Sequence, residues 1–185
     1  MGWDYGPKPA SVKNYMDSLY TWVSESKRYK VLKSAIVFMH EYYAAVEVVK
    51  KETLEREVVA VIALLHIDQY ELGKKTMDET CGPYSYNCPE SILDLLTETK
   101  SEYAQNWRIN CREQIARRKR VSALKAGTVI KFDKPLSFSI GFELDTFTVQ
   151  DIKKGYFRTT YGTVKIRRST LTGGEWQIVA EKIPA

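Results

Sequence analysis

Histidine and cysteine are scarce: two of the first and three of the second in 185 residues. The three thiols, Cys81, Cys88 and Cys111, form an odd set without framework spacing. That excludes a disulfide-stapled scaffold and points to free thiols in a reducing compartment. Long apolar runs are also missing. A membrane span needs ~18 such residues, whereas the longest run, VVAVIALL (Val58–Leu65), has the length of a strand. The start, MGWDYGPKP, has no basic segment leading into an apolar one, so it is not read as a secretory signal. Gly6 stands where a myristoylation pattern needs Ser or Thr. No Gly-rich phosphate loop, serine elbow or His-Glu-x-x-His motif is present, and neither is an internal repeat or a low-complexity segment. A cytoplasmic protein with no membrane association is expected.

What is present is a globular composition, 44% apolar and 28% charged. The formal net charge is +5 and is unevenly spread. Residues 1–99 hold 11 Lys/Arg against 15 Asp/Glu, residues 100–125 hold 8 against 2, and residues 126–185 hold 9 against 6. An acidic first half and a basic second half suit a polyanion as partner of the second half, the plain alternative being a solvated charge split.

Ser11 is a helix N-cap followed by an apolar stripe through Trp22. Three segments rich in branched and aromatic residues follow: VLKSAIVFM (31–39), YYAAVEVV (42–49) and REVVAVIALLHI (56–67). They read as a three-stranded antiparallel meander with helices on one face, although a helical reading of 31–49 is also open. KKTMDETCGPYSYNCPESILDLL (74–96) is punctuated by Gly and Pro and reads as a loop. It leads into a helix ESILDLL, with Cys88 as N-cap and Pro89 at the first position, that ends near Thr97. Thr99 and Glu102 have capping-box spacing for a long helix from about Lys100 to Ser122, buried along Ala104, Trp107, Cys111 and Ile115. From Leu124 five short strands separated by turns read as a small SH3-like β-barrel. The predicted fold is therefore α+β: residues 1–122 form a domain ending in a basic helix and residues 123–185 the barrel.

Three groups of residues invite a chemical reading. Asp78 and Glu79, with His66 upstream, are candidate acid–base or metal-binding groups, and Cys88 at a helix N-terminus is a candidate nucleophile. The plain alternative is a rigid corner whose acids bond backbone amides. Cys81, Cys88, Cys111 and His66 match the ligand count of structural zinc but not its spacing. The third group is basic: Arg108, Arg112, Arg117, Arg118, Lys119 and Arg120 on the helix, and Lys153, Lys154, Arg158, Lys165, Arg167 and Arg168 in the barrel. Such clusters neutralise phosphates and release counterions. Tyr156, Phe157, Tyr161 and Trp176 are candidate base-stacking rings, or else barrel core.

MGW at the start, YYAAVE (42–47), MDETCGP (77–83), CPESILDLL (88–96), SEYAQNWRINCR (101–112) and ELDTFTV (143–149) resemble, in the same order, an uncharacterised family found on bacterial phages, plasmids and other mobile elements. The resemblance transfers no catalytic residue. It implies a setting among accessory genes where counter-defence proteins such as anti-CRISPRs are common. The expectation is a binding protein and not an enzyme, with no cofactor or metal, whose partner is DNA or a nucleoprotein such as a defence nuclease. Two alternatives stand beside it: a metal-dependent or cysteine enzyme centred on residues 66–90, and a protein-binding inhibitor whose acidic residues 1–99 mimic nucleic acid.

Overall fold

The computed structural model of the chain describes residues 4–7, 27–38, 40–50, 53–67, 71–81, 85–139 and 141–180. The helix expected after Ser11 lies outside them. The chain falls into two compact units, Met1–Ile115 and Ala116–Ala185, in a mixed α+β fold of mostly sheet. The division falls inside the long helix (Glu102–Ala123). The reason is local: Val121 and Leu124 belong to the second unit's apolar core.

In the first unit the branched and aromatic runs form strands β2 (Lys27–Val37), β3 (Glu41–Lys50) and β4 (Arg56–Ile67). Two further strands extend the sheet beyond the predicted three. One is β1 (Asp4–Pro7). The other is β5 (Glu71–Asp78), which corrects the loop reading of Lys74–Asp78. The order is β1-β5-β4-β3-β2, with every neighbour antiparallel. Strand alternation sorts the core. Tyr42, Ala44, Val46, Val48, Val61, Ala63 and Leu65 lie buried on one face. On the other, Tyr43, Ala45, Ala60, Ile62 and Met77 pack with residues of two helices, α1 (Glu90–Leu93) and α2 (Glu102–Ala123).

Helix α1 is one turn long, shorter than predicted, because the chain then tightens into i→i−3 bonds, Leu95 to Ile92 and Leu96 to Leu93. Its N-cap is Pro89, with Cys88 one residue earlier. Helix α2 carries the expected buried stripe of Ala104, Trp107 and Cys111, with Ile115 partly buried. Its cap is displaced from the predicted pair. The Ala104 N–H donates to Ser101 Oγ at 3.3 Å, while Thr99 Oγ1 accepts from the Ser101 N–H at 3.2 Å.

The second unit holds β6 (Val129–Ser137), β7 (Glu143–Asp151), β8 (Tyr156–Thr159), β9 (Gly162–Lys165), α3 (Arg168–Gly173) and β10 (Trp176–Ala180). The order is β10-β6-β7-β8-β9, all antiparallel. Edges β9 and β10 do not pair among the described residues, so the sheet is not closed into the expected barrel. The four-residue β9 runs almost at once into α3, which leaves no strand length to meet β10. Ile130, Phe132, Phe147, Val149, Phe157, Ile166, Leu171 and Trp176 fill its core.

Gly155 closes the β7–β8 turn at φ 71°, and a Cβ there would stand 2.5 Å from the Ile166 carbonyl oxygen. That oxygen belongs to the residue whose N–H donates to the Gly155 carbonyl at 2.9 Å. Gly155→Ala should therefore destabilise the protein by about 2–4 kcal/mol, from the left-handed conformation and the forced backbone shift together. Urea unfolding with an unchanged slope and a lower midpoint is the expected result; an unchanged midpoint would contradict it.

Candidate nucleic-acid interface

The acids of the 74–96 stretch are bonded into the fold. Glu79, in a 3₁₀ turn (Glu79–Cys81), is 1% exposed. Its Oε1 accepts the Ala60 N–H at 3.2 Å. Arg108 meets both of its oxygens in a fork, Nε to Oε2 at 2.6 Å and Nη2 to Oε1 at 2.7 Å. The remaining Arg108 nitrogen, Nη1, donates to the Thr97 carbonyl at 2.5 Å. Asp78 Oδ1 accepts from the Thr80 N–H at 2.8 Å and from its hydroxyl. Nearby, the buried Glu41 carboxylate accepts from Tyr43 Oη at 2.9 Å, Ser85 Oγ at 2.9 Å and Asn87 Nδ2 at 3.1 Å. This network anchors residues 85–88 to β3. Sequence reading missed Glu41, since an acid at a strand start carries no periodic signal.

The residues proposed for catalysis do not converge. His66 pairs across the sheet with Gly73 while Asp78 pairs with Val61. The five-residue offset puts them roughly 16 Å apart along the ladder. Cys88 is fully buried, and burial raises its thiol pKa, the opposite of the activation expected from a helix N-terminus. Cys111 is buried and Cys81 exposed. Among the described residues no three His, Cys, Asp or Glu side chains come together to hold a metal ion. A thiol-reactive dye should accordingly titrate one cysteine, Cys81, in the native protein and all three after denaturation; fast native labelling of Cys88 would overturn this assignment.

The basic residues divide into two kinds. Arg108 departs most from its predicted role: it stands inward on Glu79 and is 17% exposed at the side chain. Arg112 pairs with Asp94 at 3.0 Å and donates to the Leu93 carbonyl. Arg117 pairs with Glu175 at 2.9 Å. Arg120 lies 3.9 Å over the Trp176 ring and donates to the Trp176 carbonyl. Arg168 donates to Ser122 Oγ at 2.6 Å, and Lys154 stands 3.9 Å from Asp151. Arg118 and Lys119 are also engaged. In the sheet, Lys131 pairs with Asp145 at 3.3 Å; the Asp145 carboxyl is held below the usual carboxylate range, first by the Thr146 hydroxyl and then by Lys131.

The other kind keeps its charge unpaired. Lys153 in the β7–β8 turn, Arg158 on β8 and Arg167 before α3 are exposed, and their side chains have no hydrogen bond or ion pair among the described residues. Lys165 on β9 is exposed and lies 6.0 Å over the ring of its cross-strand partner Tyr156.

Two of the four predicted stacking rings, Phe157 and Trp176, are core. Tyr161 is different. It is 72% exposed and ends a column of rings, stacked on Phe142 at 5.1 Å, which stacks on Phe138 at 5.0 Å. Phe138 in turn meets the core ring Phe147 at 6.1 Å. One end of an aromatic column rooted in the core is thus left to solvent.

Residues 98–178 match a domain of unknown function, DUF6927. No curated protein and no solved structure matches the chain. The matched span takes in α2 and nearly all of the second unit, including every unpaired cation named above.

The Glu79–Arg108 pair yields a direct test. Arg108→Met leaves a buried carboxylate without its counter-charge and should cost about 3–5 kcal/mol. Adding Glu79→Met should recover part of the loss, with the Ala60 N–H and the Thr97 carbonyl still unsatisfied. Equal thermal midpoints for wild type and Arg108→Met would show that the pair does not hold this fold together.

Proposed function

We propose that the chain is a non-enzymatic binding protein whose second unit engages DNA or a nucleoprotein complex. The observation that carries the reading is charge without partners. Residues 116–185 hold 14 Lys/Arg against 6 Asp/Glu. Among them Lys153, Arg158, Lys165 and Arg167 face solvent, and their side chains form no ion pair among the described residues. Unpaired cations are the groups a phosphate backbone can use without first breaking an ion pair. The basic helix contributes less than its composition suggests, because Arg108, Arg112, Arg117 and Arg120 are bonded elsewhere.

The strand order, with the last strand beside the first, supports reading this unit as a small SH3-like module of the kind that presents loops to a partner. The resemblance to mobile-element families supports a counter-defence role in a cytoplasm that keeps the thiols reduced. The acidic-mimic alternative is weakened by the burial of Glu41 and Glu79.

Binding should be salt-dependent, with each neutralised phosphate adding about 0.9 to the slope of log affinity against log salt on duplex. Replacing Lys153, Arg158, Lys165 and Arg167 together with Gln should flatten the slope by about 3–4, while Lys30→Gln with Lys33→Gln in the first unit should not change it. Tyr161→Ala should weaken single-strand binding by about 1–3 kcal/mol and duplex binding less. If the wild type binds neither duplex, single strand nor RNA at low salt, direct nucleic-acid binding is wrong and a protein partner takes its place.

A further inference from the structure

The second unit's sheet carries a cleft of about 490 Å³, lined among others by Gly127, Val129, Thr148, Gln150, Arg158 and Ala180. Its polar groups sit there by strand geometry. Phe147 and Val149 point into the core, so Thr148 and Gln150 project from the opposite face of β7. Thr148 and Arg158 are cross-strand partners, and Arg158 is in turn opposite Thr163 on β9. The register shift between Val149 and Asp151 makes Gln150 the extra residue of a bulge, a feature that re-aims a side chain.

The bonding within this group leaves donors available. Thr163 Oγ1 donates to Gln150 Oε1 at 3.0 Å, which fixes the amide and leaves its NH₂ without a partner among the described residues. The Thr148 hydroxyl and the Arg158 guanidinium have no partner among the described residues. Among the described residues no carboxylate lines the cleft. A guanidinium fork with no acid beside it among the described residues favours an anion, and the hydroxyl and the amide NH₂ can donate to its oxygens. The volume lies within the range of about 300–1,000 Å³ typical of small-ligand sites and exceeds what a lone tetrahedral anion fills. Val129 and Ala180 offer apolar surface to whatever the anion is attached to.

We propose that this cleft seats one nucleotide, with Arg158, Thr148 and Gln150 donating to its phosphate oxygens. Arg158 supplies a bidentate contact that a lysine cannot copy. The proposal rests on the nucleic-acid reading only for the source of the phosphate: a strand, as opposed to a free nucleotide.

The test uses the full chain and three probes: a short single-stranded oligonucleotide, a mononucleotide and inorganic phosphate. Arg158→Gln should weaken the oligonucleotide and the mononucleotide by roughly tenfold or more, and Thr148→Val by about threefold to tenfold, with melting temperatures unchanged. Lys153→Gln, outside the cleft, should move the salt slope without affecting the mononucleotide. Arg158→Lys should restore the salt slope but not mononucleotide affinity. If Arg158→Gln, Thr148→Val and Lys153→Gln all behave alike, the cleft is no seat and only diffuse charge acts, which overturns this inference and leaves nucleic-acid binding standing. Arg158-dependent binding of the mononucleotide or phosphate with no strand binding would uphold the seat and remove the strand as its source. Binding of none of the probes overturns the seat.

Discussion

A buried carboxylate that must be neutralised organises the first unit. Glu79 is out of water at the end of β5, and an unpaired charge there would cost several kcal/mol. Three N–H groups meet it: one from the Ala60 backbone on β4 and two from the Arg108 fork on α2. The same guanidinium reaches the Thr97 carbonyl in the chain leading to that helix. One residue therefore ties two strands, a helix and its approach at fixed separations. The apolar stripe beside it, Trp107 and Cys111, could tolerate some slippage, because hydrophobic contact is non-directional. The fork could not, and this directionality sets how the helix lies on the sheet.

The cost of that arrangement is borne by the surface charge. Arg108 reads in sequence as part of a basic helix face, yet its charge is cancelled inside. Arg117 and Arg120 are engaged differently in the second unit: Arg117 pairs with Glu175 at the surface, and Arg120 lies over the Trp176 ring, which holds the guanidinium without cancelling its charge. The β8–β9 hairpin shows the converse. Its outward positions alternate with the core residues Phe157 and Val164, and no acid lies opposite Arg158 or Lys165 in the register. Local composition counts both sets equally; partnering separates them.

This explains which features were legible in sequence. The β-branched runs at 31–37, 42–49 and 56–67 are strands because their character is local, and the Ala104–Ile115 stripe is visible as helical periodicity. Strand β5 was hidden, since in KKTMD the fully buried apolar side chain is Met77 alone and the rest reads as polar loop. The partner of Arg108 lies 29 residues away, a separation no pattern encodes. For Cys88 the local rule pointed the wrong way: helix N-terminal position favours a thiolate, but burial opposes it and dominates. Thr148 and Gln150 did carry a signal, the alternation of DTFTVQD, but alternation marks a face and not a function.

The chemistry of that face limits what it can recognise. The Arg158 guanidinium, the Thr148 hydroxyl and the Gln150 NH₂ can all donate to phosphate oxygens, and phosphate contacts position a strand without reading its sequence. Distinguishing one base from another needs donors and acceptors matched to a base edge, and the cleft's one free side-chain amide group offers only N–H. If the cleft seats a nucleotide as proposed, discrimination comes from the form of the nucleic acid. A duplex holds its phosphates at fixed spacing on a stiff rod, whereas a single strand can turn one nucleotide into a recess and lay another base on an exposed ring such as Tyr161. A binder built this way reads strandedness before sequence, a property that suits a partner encountered in many sequences but in one conformational state.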